Sequence, residues 1–155
     1  MEEGFSIRAA QPSDLEGLLA LYQHLNPSDE AISLDLAASR LDGINRLPGS
    51  AVMLGLLGAV LVASCTLIVI PNLTHGGKPY ALIENVVTDA RYRGRGYGTR
   101  LLNAAVQAAW GADCYKVMLL TGSKQPSTLG FYESAGFEQS KTGFQMRRMA
   151  ARHDA

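Results

Sequence analysis

The stretch YRGRGYGTRLL, Tyr92 to Leu102, sets Gly94, Gly96 and Gly98 at every second position and then runs into an apolar segment. Glycine lets a backbone come close to a ligand, and a helix start presents N–H groups that lack intrahelical acceptors. Together they predict an anion seat, for a phosphate above all, at the opening of a helix. Two phosphate cradles do not fit. A dinucleotide fingerprint places its glycines as G-x-G-x-x-G, whereas here Gly94, Gly96 and Gly98 fall at the wrong spacing and Thr99 holds the third slot. A Walker loop ends in Gly-Lys-Ser/Thr, whereas this one ends Gly98-Thr99-Arg100.

Outward from the loop, ALIENVVT (Ala81 to Thr88) reads as a strand with one acidic residue, Glu84, in an otherwise apolar setting. Leu101, Leu102, Ala105, Val106 and Ala109 mark the following helix, which Gly111 ends. YKVMLLT reads as a strand, and Pro126 suits the first turn of a helix that runs to Ser134 and is capped at Gly136. FEQSKTGFQMRRM, Phe137 to Met149, reads as a closing strand with a bend at Gly143.

Toward the N-terminus, FSIRAA reads as a first strand. Ser13 and Glu16 are spaced as a capping box for a helix carrying Leu15, Leu18, Leu19, Tyr22 and Leu25, which Asn26-Pro27 stops. A second helix is expected from Glu30 to Leu41, with Ile32, Leu34, Leu36 and Leu41 as its apolar stripe and Gly43 beyond its end.

The charge-free run Ala51 to Ile70 is about the length that crosses a bilayer. Its β-branched residues, its internal Gly55 and Gly58, and the turn signals Pro48-Gly49-Ser50 and Pro71-Asn72 favour two buried strands meeting near Leu57-Gly58. The resulting order, β-α-α-β-β-β-α-β-α-β, predicts one α/β domain over residues 1–155, built on a mixed sheet.

Lys plus Arg and Asp plus Glu number 14 each, so the formal net charge is zero. That excludes a broad basic surface for nucleic acid or anionic membrane and leaves Arg91, Arg93, Arg95 and Arg100 as a local cluster. Cys65 and Cys114 sit in apolar contexts and read as buried thiols. His24, His75 and His153 are too scattered for a metal site, so no metal is expected. The acidic start MEEGFSIR lacks a charged-then-apolar leader design, and a cytoplasmic protein is expected.

ENVVTDARYRGRGYGTRLL, Glu84 to Leu102, resembles the acetyl-CoA-binding signature of the GNAT acetyltransferases, Arg/Gln-x-x-Gly-x-Gly/Ala, at Arg93, Gly96 and Gly98. LGFYESAGF, Leu129 to Phe137, resembles that superfamily's later motif. The resemblance implies a GNAT fold, an α/β architecture whose central, mixed and mostly antiparallel sheet has about six to seven strands flanked by about four helices. It implies that the loop Arg93, Gly94, Arg95, Gly96, Tyr97, Gly98 and Thr99 holds the coenzyme pyrophosphate. It further implies that Val86, Val87 and Thr88 pair with the pantetheine arm and that Tyr132 stands beside the thioester sulfur as acid.

Transfer to an amine also needs a proton acceptor, for which Glu84 is the candidate; the competing reading is a structural carboxylate paired with an arginine or capping backbone donors. The order of ENVVT, RGRGYGTRLL, DCYKVML, GFYESAGF and FQMRRM is similar to the glucosamine-6-phosphate N-acetyltransferase branch. That likeness implies a small-molecule amine acceptor contacted by Asn85, Tyr115 and Lys116, with Arg147 or Arg148 assisting an anionic substrate, and a homodimer. Three positions depart from the pattern: Asn85 and Leu120 stand where the branch has carboxylates, and Gln125 stands where the superfamily often has asparagine. The alternative from another class is an acyl-CoA-binding module without catalysis.

Overall fold

A computed structural model describes residues 4–150; the acidic start Met1–Glu3 and His153 lie outside the described residues. Five strands, β1 (Phe5–Ala9), β2 (Ala51–Leu57), β3 (Val60–Ile70), β4 (Tyr80–Thr88) and β5 (Val117–Leu119), form one sheet in that order. Neighbours are antiparallel except β4 and β5, which are parallel. The four α-helices are α1 (Leu15–Tyr22), α2 (Leu34–Asn45), α3 (Tyr97–Gly111) and α4 (Pro126–Ser134).

The long apolar run is the β2–β3 hairpin. Gly58 supplies its turn at φ +61°, a left-handed conformation that glycine adopts without penalty. The run lacks polar alternation because helices cover both sheet faces over it. Val52, Leu54 and Leu56 pack with Leu15, Leu18 and Leu21 of α1 and with Ala37 and Leu41 of α2. Ala63, Cys65 and Leu67 pack with Leu101, Leu102 and Ala105 of α3 on the other face. Among the described residues, no helix is long and apolar enough to cross a membrane.

Local readings need three amendments. Ser13 lies inside a short 3-10 turn, Pro12–Asp14, rather than capping α1. The carboxylate of Asp14 does the local work, accepting from the Gln11 amide at 2.7 Å while the Arg8 guanidinium holds it at 2.7 and 2.8 Å. The second helix starts at Leu34, where the Ser33 hydroxyl accepts from the Leu36 amide at 3.1 Å, and it passes through Gly43 to end at Asn45. Ile32, Leu34 and Leu36 are exposed, so Ala37 and Leu41 are what bury this helix.

Among the described residues the sheet has five strands, not the six to seven expected. Phe137 to Met149 forms no strand among the described residues, and Phe144 and Met146 are 93% and 98% exposed. A strand needs a neighbour for its backbone groups, and among the described residues the segment finds none. Gly143 nevertheless passes close to β5: a Cβ there would meet the Leu120 side chain at 2.8 Å.

Candidate active site

β4 carries the site because its two edges differ. Toward β3 it is paired along its length, from Ile70↔Tyr80 to Ala63↔Thr88. Toward β5 the pairing stops at Ile83↔Leu119, so from Glu84 onward that edge has no strand beside it among the described residues. The change coincides with a β-bulge: Thr66 pairs with Glu84 and Ser64 with Val87, which leaves one extra residue on β4. Asn85, at φ +53°, takes up the bend. Val86, Val87 and Thr88 therefore offer a backbone edge to which an extended amide-bearing ligand can add.

Immediately beyond lies the glycine loop. Gly94 and Gly96 have φ +75° and +83°, and a Cβ at either would meet nothing within 4 Å. Their glycine identity serves the backbone turn and leaves open space in front of the amides. Gly98 differs. It is buried, and a Cβ would come to 3.1 Å from the Phe131 ring and 3.2 Å from the Thr88 hydroxyl. It lets the start of α3 nest between β4 and α4. The first-turn amides of Gly98 and Thr99 have no intrahelical acceptor, and the helix dipole adds positive potential there. The Tyr97 side chain is core, 2% exposed and stacked on Phe5 at 4.7 Å, so only its backbone is available to a ligand.

The arginines separate by task. Arg91 clamps the buried Asp89 through Nη2 at 2.8 Å and Nε at 3.1 Å, and the Asp89 side chain also caps the Arg91 amide at 2.9 Å. Those bonds to Arg91 hold the Asp89 carboxyl down at about 2. Arg93 is occupied with backbone carbonyls, Thr88 at 3.1 Å and His24 at 3.4 Å. Arg95 lies over the Tyr92 ring at 5.5 Å and Arg100 over Phe5 at 4.5 Å, and neither forms an ion pair among the described residues. An arriving polyanion would meet these two as available cations.

Glu84 is exposed, and its carboxylate has no hydrogen bond or ion pair among the described residues, unlike a structural carboxylate held by arginine. By register it shares a sheet face with Thr66, on the α1 side, where Tyr22 reaches the buried Thr66 and Ser64 hydroxyls. Tyr132, on α4, packs with the opposite core, beside Cys65 and Phe131. Burial pushes its phenol pKa up, with smaller contributions from Cys65 and from Glu84. It therefore keeps its proton at neutral pH and can donate one. The buried Cys65 thiol is pushed up to about 12, which makes it a packing group rather than a nucleophile. Glu84 and Tyr132 thus lie on opposite faces of the sheet, near enough for the Glu84 charge to act on the Tyr132 phenol.

Tyr115 and Lys116 lie at the other end of the β4–β5 pair. His75 stacks on Tyr115 at 3.9 Å, and the Lys116 ammonium stands 5.5 Å from the Tyr80 ring and 5.3 Å from the Tyr115 ring. Because Leu82 pairs with Met118, Tyr80 and Lys116 share the face of Glu84, about 13 Å away at strand rise. Leu120 follows β5 and is 68% exposed, while Gln125 precedes α4 without a side-chain cap bond. Arg147 and Arg148 lie on the exposed C-terminal segment, with no ion pair among the described residues. A cavity of about 720 Å³ between Pro48, Val69, Pro79 and Ala112 is lined by none of these site residues.

Sequence reasoning missed Asp89, His24 and the Tyr22–Thr66–Ser64 hydroxyl group. The Asp-x-Arg spacing of Asp89 and Arg91 carried the signal of a local cap. Nothing in the chain's periodicity marks a partner for His24 66 residues ahead.

Comparison with known proteins accords with this geometry. The family model described as "Acetyltransferase (GNAT) family" matches residues 18–137. A glucosamine 6-phosphate N-acetyltransferase of Trypanosoma brucei brucei is 32% identical over 133 residues, covering 84% of this chain and 87% of that protein. Glucosamine 6-phosphate N-acetyltransferase 1 of Oryza sativa subsp. japonica is 33% identical over 145 residues, covering 87% and 82%. A solved chain from Agrobacterium tumefaciens str. C58 superposes with a TM-score of 0.87 at 50% identity, covering 92% of this chain and 99% of its own. The chain belongs to the GNAT acetyltransferase family and is an acetyl-CoA-dependent N-acetyltransferase.

Proposed function

We propose that the chain acetylates the primary amine of a phosphorylated amino sugar of the glucosamine 6-phosphate type, in a ternary complex with acetyl-CoA. The observation that carries the acceptor class is the pair of relatives named for that activity, each matched over more than four fifths of both chains. The open edge of β4, followed by an unobstructed glycine loop at the start of α3, fits the coenzyme. Val86, Val87 and Thr88 would hold its amide-bearing arm, and Arg93 to Thr99 its pyrophosphate. Bound acetyl-CoA supplies the activated acetyl group.

The chain's own residues then manage protons and charge. Glu84, unpaired and on the acceptor side, takes the proton that an ammonium must lose before its nitrogen can form the C–N bond. A β4 amide at the open edge stabilises the oxygen on which charge develops. Tyr132, reaching the same edge from the other face, donates a proton to the sulfur as the C–S bond breaks. Lys116, Asn85 and Tyr115, on or beside the acceptor face, are assigned to the sugar phosphate, with Arg147 or Arg148 assisting.

We further assign a cytoplasmic homodimer. Exposed Phe144 and Met146 follow Gly143, which passes Leu120 just after β5, the outermost strand of the sheet among the described residues. Light scattering is expected to give twice the chain mass, and F144S/M146S to give a monomer.

Thiol release from acetyl-CoA with a panel of amines tests the acceptor. Glucosamine 6-phosphate should exceed glucosamine, polyamines, amino acids and peptides in kcat/KM. Coenzyme binding with turnover of no amine would instead favour a binding module. Leu120, apolar where the resembling branch carries a carboxylate, is the feature on which that alternative rests.

A further inference from the structure

His24 joins two regions that the mechanism treats separately. It follows α1 by two residues, and its ring Nδ1 accepts the Ala90 amide at 3.3 Å. Its Nε2 stands 3.7 Å from the Asp89 carboxylate, and its backbone carbonyl accepts from Arg93 at 3.4 Å. Ala90 and Arg93 belong to the connection that carries the glycine loop. Two residues before His24, Tyr22 ends α1 and reaches the hydroxyl of Thr66, directly across the ladder from Glu84. The short segment from Tyr22 to His24 therefore touches both the acceptor face beside Glu84 and the root of the coenzyme loop.

We propose that His24 is a positioning residue that locks the wall of the acceptor side to the coenzyme loop, so that ordering one orders the other. The anchor on the loop side is rigid: the Asp89 amide donates to the Val62 carbonyl at 2.8 Å, and Arg91 clamps the Asp89 side chain. On the other side, the amides of His24, Leu25 and Asn26 donate to the carbonyls of Leu21 and Tyr22 and fold the turn back on α1, and His24 joins that turn to the loop. Coenzyme and acceptor then help each other bind through this contact, and by linkage the help is equal in both directions. The inference rests on the proposed seating of the pyrophosphate in the loop.

The test uses the full chain and coenzyme A binding by calorimetry, read beside steady-state kinetics. His24→Ala removes one neutral hydrogen bond to the loop and should weaken coenzyme A binding about fivefold. It should raise KM for glucosamine 6-phosphate by a similar factor, while kcat stays within about twofold because no reacting group is lost. His24→Asn places an amide oxygen where Nδ1 stood and should restore both values to within about twofold. A merely structural histidine would show equal defects in both variants. Unchanged coenzyme A affinity in His24→Ala, or failure of His24→Asn to rescue, overturns the proposal. Gly96→Val separates the two layers. If it binds coenzyme A normally, the loop reading falls and this inference with it; if it loses binding while His24→Ala does not, the inference falls alone.

Discussion

Glu84 and Asp89 stand five residues apart at the end of one strand and have opposite environments. Asp89 is buried, accepts from Arg91 through both oxygens, and is held ionised down to about 2. Glu84 is exposed and bonded to nothing among the described residues. The bulge at Asn85 and the end of β5 separate them: one carboxylate sits where the sheet is open, the other where the chain turns into a packed loop. A carboxylate saturated by donors builds structure, whereas one left unsaturated beside an open edge can exchange protons with a substrate.

That contrast makes distinct predictions for the two positions. Glu84→Gln should lower kcat about 10²- to 10³-fold, the range for a lost general base, with the melting temperature unchanged. Tyr132→Phe should lower kcat about 10- to 10²-fold in thiol-release assays with little change in coenzyme KM, since only the proton donor is removed. Asp89→Ala should show the reverse pattern: stability falls by about 1–3 kcal/mol in urea titration, and coenzyme KM rises as the loop loosens. Equal melting temperatures for Asp89→Ala and Glu84→Gln would break the comparison.

The acid side gives a smaller effect. Asp89 has a folded pKa of about 2, below the ordinary carboxyl value of 3.8. Its contribution to stability is complete above about pH 4 and is lost as pH falls from there through about 2. Urea midpoints measured between pH 5 and pH 2 should therefore converge for wild type and Asp89→Asn at the low end.

Much of this was legible in the residues. Strand, glycine loop and helix could be read around Gly94, Gly96 and Gly98 because glycine spacing and apolar periodicity are local signals. The hairpin within Ala51 to Ile70 was legible from Gly58 and the flanking prolines. The bulge at Asn85 was not, because it depends on how β3 pairs with β4. Neither was the tying of Arg93 to His24, since the signature suggests a ligand contact while the side chain spends its donors on two carbonyls. The closing strand was misread for a related reason: the residues of Phe137 to Met149 suit a strand but specify no neighbour for it, and the described chain supplies none.

The most direct measurement of the central claim is the pH dependence of amine-dependent thiol release, compared between wild type and Glu84→Gln. The account predicts that wild-type kcat/KM carries an acid-side limb from the carboxylate, and that Glu84→Gln loses this limb along with most of its rate. A Glu84→Gln enzyme with the wild-type rate and profile would contradict it.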